Sequence, residues 1–138
     1  MRTDSLAGGR NLAALGWIMS AAAAYDLAFG VGILLLPARL AAILAIPLPE
    51  DGTYLGLCGV LLLVLGSLYL LPARDPARFA PVIGVSAAGR LVGAAYLAAV
   101  WAGNRHGAFL GLAAADLGFA VVQAVLLLRA RGEVELTH

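Results

Sequence analysis

Lysine is absent from these 138 residues, cysteine occurs once, histidine twice, and charged side chains make up only 12%. Each scarcity closes a class of function. The single cysteine, Cys58, leaves no intrachain disulfide, no thiolate metal cluster and no Cys-x-x-Cys pair for quinone-linked disulfide chemistry. His106 and His138 both fall outside the apolar segments, so no histidine pair is placed for haem or two-metal ligation. No Ser/His/Asp set shares one depth, and no Gly-Lys-Ser/Thr follows the glycines, which excludes a phosphate loop. A net charge of +1 gives no electrostatic footprint for nucleic acid. Metal sites are therefore expected to be absent, and the cofactor is unknown.

What is present is apolar. Hydrophobic residues reach 62%, against about 45–50% apolar and about 25% charged in an ordinary soluble domain. Four long segments hold the excess, at about 12–36, 52–71, 79–101 and 108–128. Each has roughly the 20 residues that a helix needs to cross ~30 Å of hydrocarbon. Helix is the only form that fits, because four separate spans cannot close a barrel and lipid leaves no backbone group unpaired. The fold class is an all-α membrane protein: one domain over 1–138, a four-transmembrane-helix bundle with a short interfacial helix between spans one and two. The first span resembles a secretory signal near its Ala21–Ala24 tract, but its apolar run continues to Leu36 and is too long for one, so it is read as retained.

Proline and arginine organise the rest. Spans one and two are expected to stop at Pro37 and Pro72. Residues 38–46 are apolar, carry Arg39 and lie between Pro37 and Pro47, which reads either as a helix on the outer leaflet or as a loop packed over the bundle end. Asp51 is placed to cap span two. The loop 72–78 reads as a tight polar turn and the tail 132–138 as frayed. Arg2, Arg10, Arg74, Arg78, Arg129 and Arg131 fall on one side, Arg39 and Arg105 on the other. Six against two places both termini in the cytoplasm. Tyr54 and Tyr69 bracket span two as interfacial aromatics, and Trp101 ends span three. Leu-Leu-Pro-Ala-Arg occurs at both 35–39 and 70–74, ending spans of opposite direction; an internal repeat is one reading of it.

Three ionisable residues sit deep in these spans: Asp26, Arg90 and Asp116. Counted from the outer span ends at ~1.5 Å per residue, they lie roughly 15, 16 and 12 Å deep, so all three can meet in one layer. A mid-bilayer charge costs roughly 3 kcal/mol on insertion scales and persists when charges face one another or do work. Two acids and one arginine sum to −1, which asks for a shared proton or for a cation or donor brought by a ligand. Ser86, four before Arg90, and Gln123, seven after Asp116, fall on the same helix faces and extend the polar layer. Tyr25 is next to Asp26 but points about 100° away. Span two carries no charge and is expected to be structural, with Cys58 a small apolar filler. Gly52/Gly56, Gly89/Gly93 and Gly107/Gly111 have GxxxG spacing, and Gly84/Ala88 and Gly111/Ala115 are small-xxx-small pairs; this spacing marks helix packing, within the chain or between copies.

Leu36-Pro37, the run 57–66, Tyr69-Leu70, the hexapeptide Ala73-Arg74-Asp75-Pro76-Ala77-Arg78 and a basic residue in the next span resemble a group of small bacterial four-span membrane proteins. The likeness covers about residues 26–125. It implies a recurring basic residue in span three and acid in span four, which Arg90 and Asp116 match. The overall plan is also similar to DoxX-like proteins, some of which accompany quinone-reducing complexes.

Three readings of function stay open on the sequence. One is a non-catalytic accessory or scaffold subunit of a larger membrane complex or homo-oligomer, with membrane lipid as its other partner. Another is a proton-linked carrier or small-ligand binder, for lipid or quinone, using Asp26, Arg90 and Asp116. The third is an intramembrane enzyme in which Arg90 holds a head group while an aspartate moves a proton; no visible nucleophile, metal set or redox centre speaks for it.

Overall fold

In the computed structural model, the described residues are 2–135, with side-chain surroundings described for 9–130. Five helices succeed one another: α1 (Arg2–Leu35), α2 (Pro37–Leu44), α3 (Thr53–Arg74), α4 (Ala80–Asn104) and α5 (Gly107–Glu135), with no strand among the described residues. Four of them, α1, α3, α4 and α5, are long and apolar enough to cross a membrane. The four-span, all-α expectation holds.

The ends of these helices differ from the sequence reading in instructive ways. Leu36 breaks α1, with φ −136° and ψ 43°, and Pro37 opens α2, where its missing N–H costs nothing. Pro72, expected to stop span two, instead sits inside α3, which continues to Arg74. Proline so near a helix end forfeits one bond, to the Leu68 carbonyl, and the Asp75 N–H still closes the helix on the Leu71 carbonyl at 3.1 Å. The frayed tail expected from Gly132 is corrected as far as Glu135, where α5 ends; residues 136–138 lie outside the described residues.

Segment 38–46 is helical as far as Leu44. Its end is fixed by Ala45 in the left-handed region (φ 51°), with the N–H groups of Ala45 and Ile46 on the carbonyls of Ala42 and Ala41 at 3.2 and 3.1 Å. Ala41 is buried against the bundle, while Ile43 faces away. Asp51 does serve α3: its carboxylate accepts the Thr53 N–H at 2.8 Å. The α3–α4 turn is held by Asp75, whose carboxylate accepts the Arg78 N–H at 3.1 Å.

Packing is uneven. α1 lies along α3, and α4 along α5; α1 and α5 join the two pairs, whereas α3 and α4 touch only sparsely. The buried apolar core (Leu15, Met19, Ala22, Tyr69, Ile83, Leu127) lies toward the end of the bundle where α1 begins and α5 finishes. The α1–α3 seam is close enough to exclude side chains. A Cβ at Gly66 would stand 3.0 Å from the Ala23 carbonyl oxygen, and one at Gly30 would stand 2.9 Å from that of Gly59.

That seam is not built from the expected glycine pairs. A Cβ at Gly52, Gly56, Gly89, Gly107 or Gly111 would meet nothing within 4 Å, and one at Gly93 would meet only Asp116. GxxxG spacing says that two backbones can approach; it does not say which face turns inward. On α3 the inward face is set by Gly59, Gly66, Tyr69 and Pro72, at steps of seven, three and three. Cys58 is one residue, about 100°, off that face. It is exposed rather than a core filler.

Candidate functional site in the cleft between the third and fourth helices

Each long helix carries an inward stripe at helical spacing, and the charged residues lie on those stripes. On α1 the stripe runs Leu15, Met19, Ala22, Ala23, Asp26; on α4 it runs Ile83, Ser86, Ala87, Arg90, Ala94. On α5, Ala113, Ala120, Gln123 and Leu127 are buried, with Asp116 half-buried among them. Register alone therefore brings Asp26, Arg90 and Asp116 together.

Arg90 is the centre. Its Nη2 donates to both Asp26 oxygens, at 2.9 and 2.8 Å, and its Nη1 donates to Asp116 Oδ1 at 2.7 Å. One side chain thus ties α4 to α1 and to α5. The guanidinium is sheathed in aromatic rings: Phe119 at 4.8 Å, Tyr69 at 5.5 Å and Tyr25 at 5.7 Å from its central carbon. Ring faces attract a desolvated cation, by about 2 kcal/mol or more. Arg90 Nε is buried and has no hydrogen-bond partner.

The two acids are used differently. Both Asp26 oxygens accept from Arg90, and the side chain is 5% exposed. Asp116 is 17% exposed; its Oδ1 accepts from Arg90 while its Oδ2 accepts no hydrogen bond among the described residues. A second polar pair lies one turn along: Ser86 Oγ donates to Gln123 Oε1 at 3.2 Å, and the Gln123 amide nitrogen is buried without a partner.

The cluster is not sealed. It borders a cavity of about 440 Å³ that fills the space where α3 and α4 part. Leu62, Leu65 and Leu68 of α3 face Val82, Val85 and Gly89 of α4 across it, and Asp26, Arg90, Asp116, Tyr25 and Tyr69 supply its polar lining. Leu65, Leu68 and Val85 are exposed, Val85 by 74%, so the cleft opens on the lateral surface of the bundle. A smaller cavity of about 150 Å³ under α2 shares Phe29, Ile33 and Leu112 with it.

All of the candidate polar residues except Gln123 line this cleft, and Gln123 bonds Ser86, which does. Tyr25 belongs to the site despite its offset from Asp26. Tyr69 overturns its reading as an interfacial marker: it is 6% exposed and lies on Arg90. Span two is thus more than a structural strut. Sequence reasoning misses Tyr69 and Phe119 as site residues; for Phe119 a signal exists, since it is three past Asp116, whereas the inward side of α3 that carries Tyr69 is marked only by the packing of Gly59 and Gly66. Among the described residues no group of three His, Cys, Asp or Glu is placed to hold a metal ion. No protein-family model, curated protein or solved structure matches this chain.

Proposed function

We propose that this protein is a multi-pass membrane protein that binds a small, lipid-soluble ligand in the cleft between α3 and α4, with the Asp26–Arg90–Asp116 cluster at the ligand's polar end. The observation that supports this reading is the opening itself. A purely architectural cluster is best served by a dry, closed core, because water contact weakens every ion pair in it. Here three charged groups line an apolar cleft that opens on the lateral surface of the bundle. Apolar walls with a few convergent polar groups are the usual make-up of a small-molecule site, and ionisable groups inside a membrane bundle mark ligand or ion paths by default.

The chain purified in mild detergent should carry a small molecule visible by native mass spectrometry. Gly89→Phe, which places a ring in the cleft where a Cβ meets nothing, should remove that molecule at unchanged helix content. Wild-type protein carrying nothing but bulk lipid, or a Gly89→Phe variant that keeps the molecule, would sink the reading.

A second reading, an accessory or scaffold subunit or a homo-oligomer, is favoured by the outward glycines. Gly52, Gly56, Gly107 and Gly111 meet nothing within the chain, which leaves small-residue faces for another copy. A stable dimer in detergent that Gly107→Leu converts to monomer would support it; a monomer throughout would count against it. The cytoplasmic placement of both termini rests on the arginine distribution, and reporter fusions at either terminus test it; the bacterial inner membrane rests on the resemblance to small bacterial four-span proteins. Likeness of plan to DoxX-like proteins is an analogy of fold and carries no chemistry to Arg90 or Asp116.

A further inference from the structure

We infer that the cleft selects a lipophilic cation, an amine or onium head on an apolar body, and that Asp116 is the group that recognises it. This rests on the cleft being a ligand site. Charge is the first argument. Asp26, Arg90 and Asp116 sum formally to −1, and among the described residues no other charged one lines the cleft. A cationic head brings the sum to zero, whereas an anionic head would bring it to −2 in a medium that screens poorly.

Accessibility is the second argument. The positive group is the one withdrawn from the ligand. Arg90 is 6% exposed, each of its two Nη groups donates to a carboxylate, three rings lie against it, and its Nε is buried without a partner. The negative group is the one presented. Asp116 lines the cleft, is the more exposed acid, and keeps Oδ2 free of any hydrogen bond. Gly93 lies beside that oxygen, where a Cβ would stand 3.3 Å away, so no side chain of that residue covers it. The aromatic walls, Tyr25, Phe29 and Tyr69, suit a cation as well as an apolar body.

Tetraphenylphosphonium and tetraphenylborate have nearly the same shape and opposite charge, so they isolate the sign. Binding of each is measured on the full chain in phosphatidylcholine nanodiscs, with empty nanodiscs as the blank. The phosphonium should bind saturably and the borate at least about tenfold more weakly, since reversing the sign of one contact at short range is worth more than that at an effective dielectric of ~20. Asp116→Asn should lose the phosphonium by a similar factor, Asp116→Glu should keep it, and Gly89→Phe should lose it. Because Asp116→Asn removes a partner of Arg90, helix content and thermal midpoint are recorded for each variant, and Gly89→Phe stands as the independent check. If both ions bind alike and Gly89→Phe removes both, the charge preference is overturned while the cleft remains a ligand site. If phosphonium binding survives Gly89→Phe, the ligand does not sit in the cleft and both readings fall. No saturable binding of either ion overturns the cation inference.

Discussion

The third helix has two faces that treat its neighbours in opposite ways. Toward α1 it is closed: Gly59 and Gly66 meet Ile33, Leu27 and the Ala23 carbonyl with no room for a Cβ. Toward α4 it is open: Leu65 and Leu68 look across a cavity at Val85 and Gly89. Glycine appears on both sides of this contrast. At Gly66 the missing side chain lets two backbones touch; at Gly89 it leaves space that nothing fills. In lipid, where hydrocarbon competes with side chains on equal terms, close packing is what holds helices together. A face that forgoes it needs another device, and across the cleft floor that device is Arg90, which ties α4 back to Asp26 of α1.

The strongest way to break the contrast is to cut that tie. Arg90→Leu leaves two carboxylates in the bundle without a cation, and removal of one partner of a buried ion pair costs about 3–5 kcal/mol. Unfolding titrations in mixed micelles should show a loss of that size, with the α4–α5 pair separating from α1–α3. A loss of only about 0.6 kcal/mol, the size of an ordinary interhelical hydrogen bond, would mean that the floor adds little to the packing of α1 against α5 in joining the halves.

Next comes the seam. Gly66→Leu forces a side chain onto the Ala23 carbonyl and Leu27, and overpacking of this kind costs about 1–3 kcal/mol. Gly89→Leu, the same change on the other face, should cost less than about 0.5 kcal/mol, as surface substitutions do. Equal destabilisation by the two would erase the distinction between a closed and an open face. A smaller effect sharpens the site rather than the seam: Ser86→Ala removes the hydrogen bond to Gln123, worth about 0.6 kcal/mol in a membrane bundle, and thermal midpoints should fall only slightly.

Depth is legible in the residues. Counting along each span puts Asp26, Arg90 and Asp116 in one layer, because helical rise converts sequence position into depth with little ambiguity. Face sharing adds Ser86 and Gln123. Rotation is harder to read. Nothing in a uniformly apolar helix such as α3 marks which side turns inward. The sequence therefore reads Cys58 as filler and Tyr69 as an interfacial ring, and it assigns to the outward glycines the packing that Gly30, Gly59 and Gly66 perform. The two Leu-Leu-Pro-Ala-Arg copies make the same point for helix ends: at 35–39 the proline opens α2, and at 70–74 it rides inside the last turns of α3. A proline near a helix end forfeits a single bond, and the helix closes beyond Pro72 through the Asp75 N–H on the Leu71 carbonyl.

Asp51 offers the gentlest test, because it touches neither face. The hydroxyl and backbone N–H of Thr53 hydrogen-bond its carboxylate and hold its pKa below the usual carboxylate value. A carboxyl depressed in the folded state contributes stability that is present above its unfolded pKa and is lost as pH falls through its folded one. The start of α3 should therefore loosen as pH drops below about 4, and Asp51→Asn should show a weaker dependence over the same window. Amide exchange at Thr53 and Tyr54 reads this directly, while exchange at Gly59 and Gly66 should not change. If the seam loosened together with the first turn, α3 would behave as one cooperative unit, and the independence of its closed face from its end would be lost.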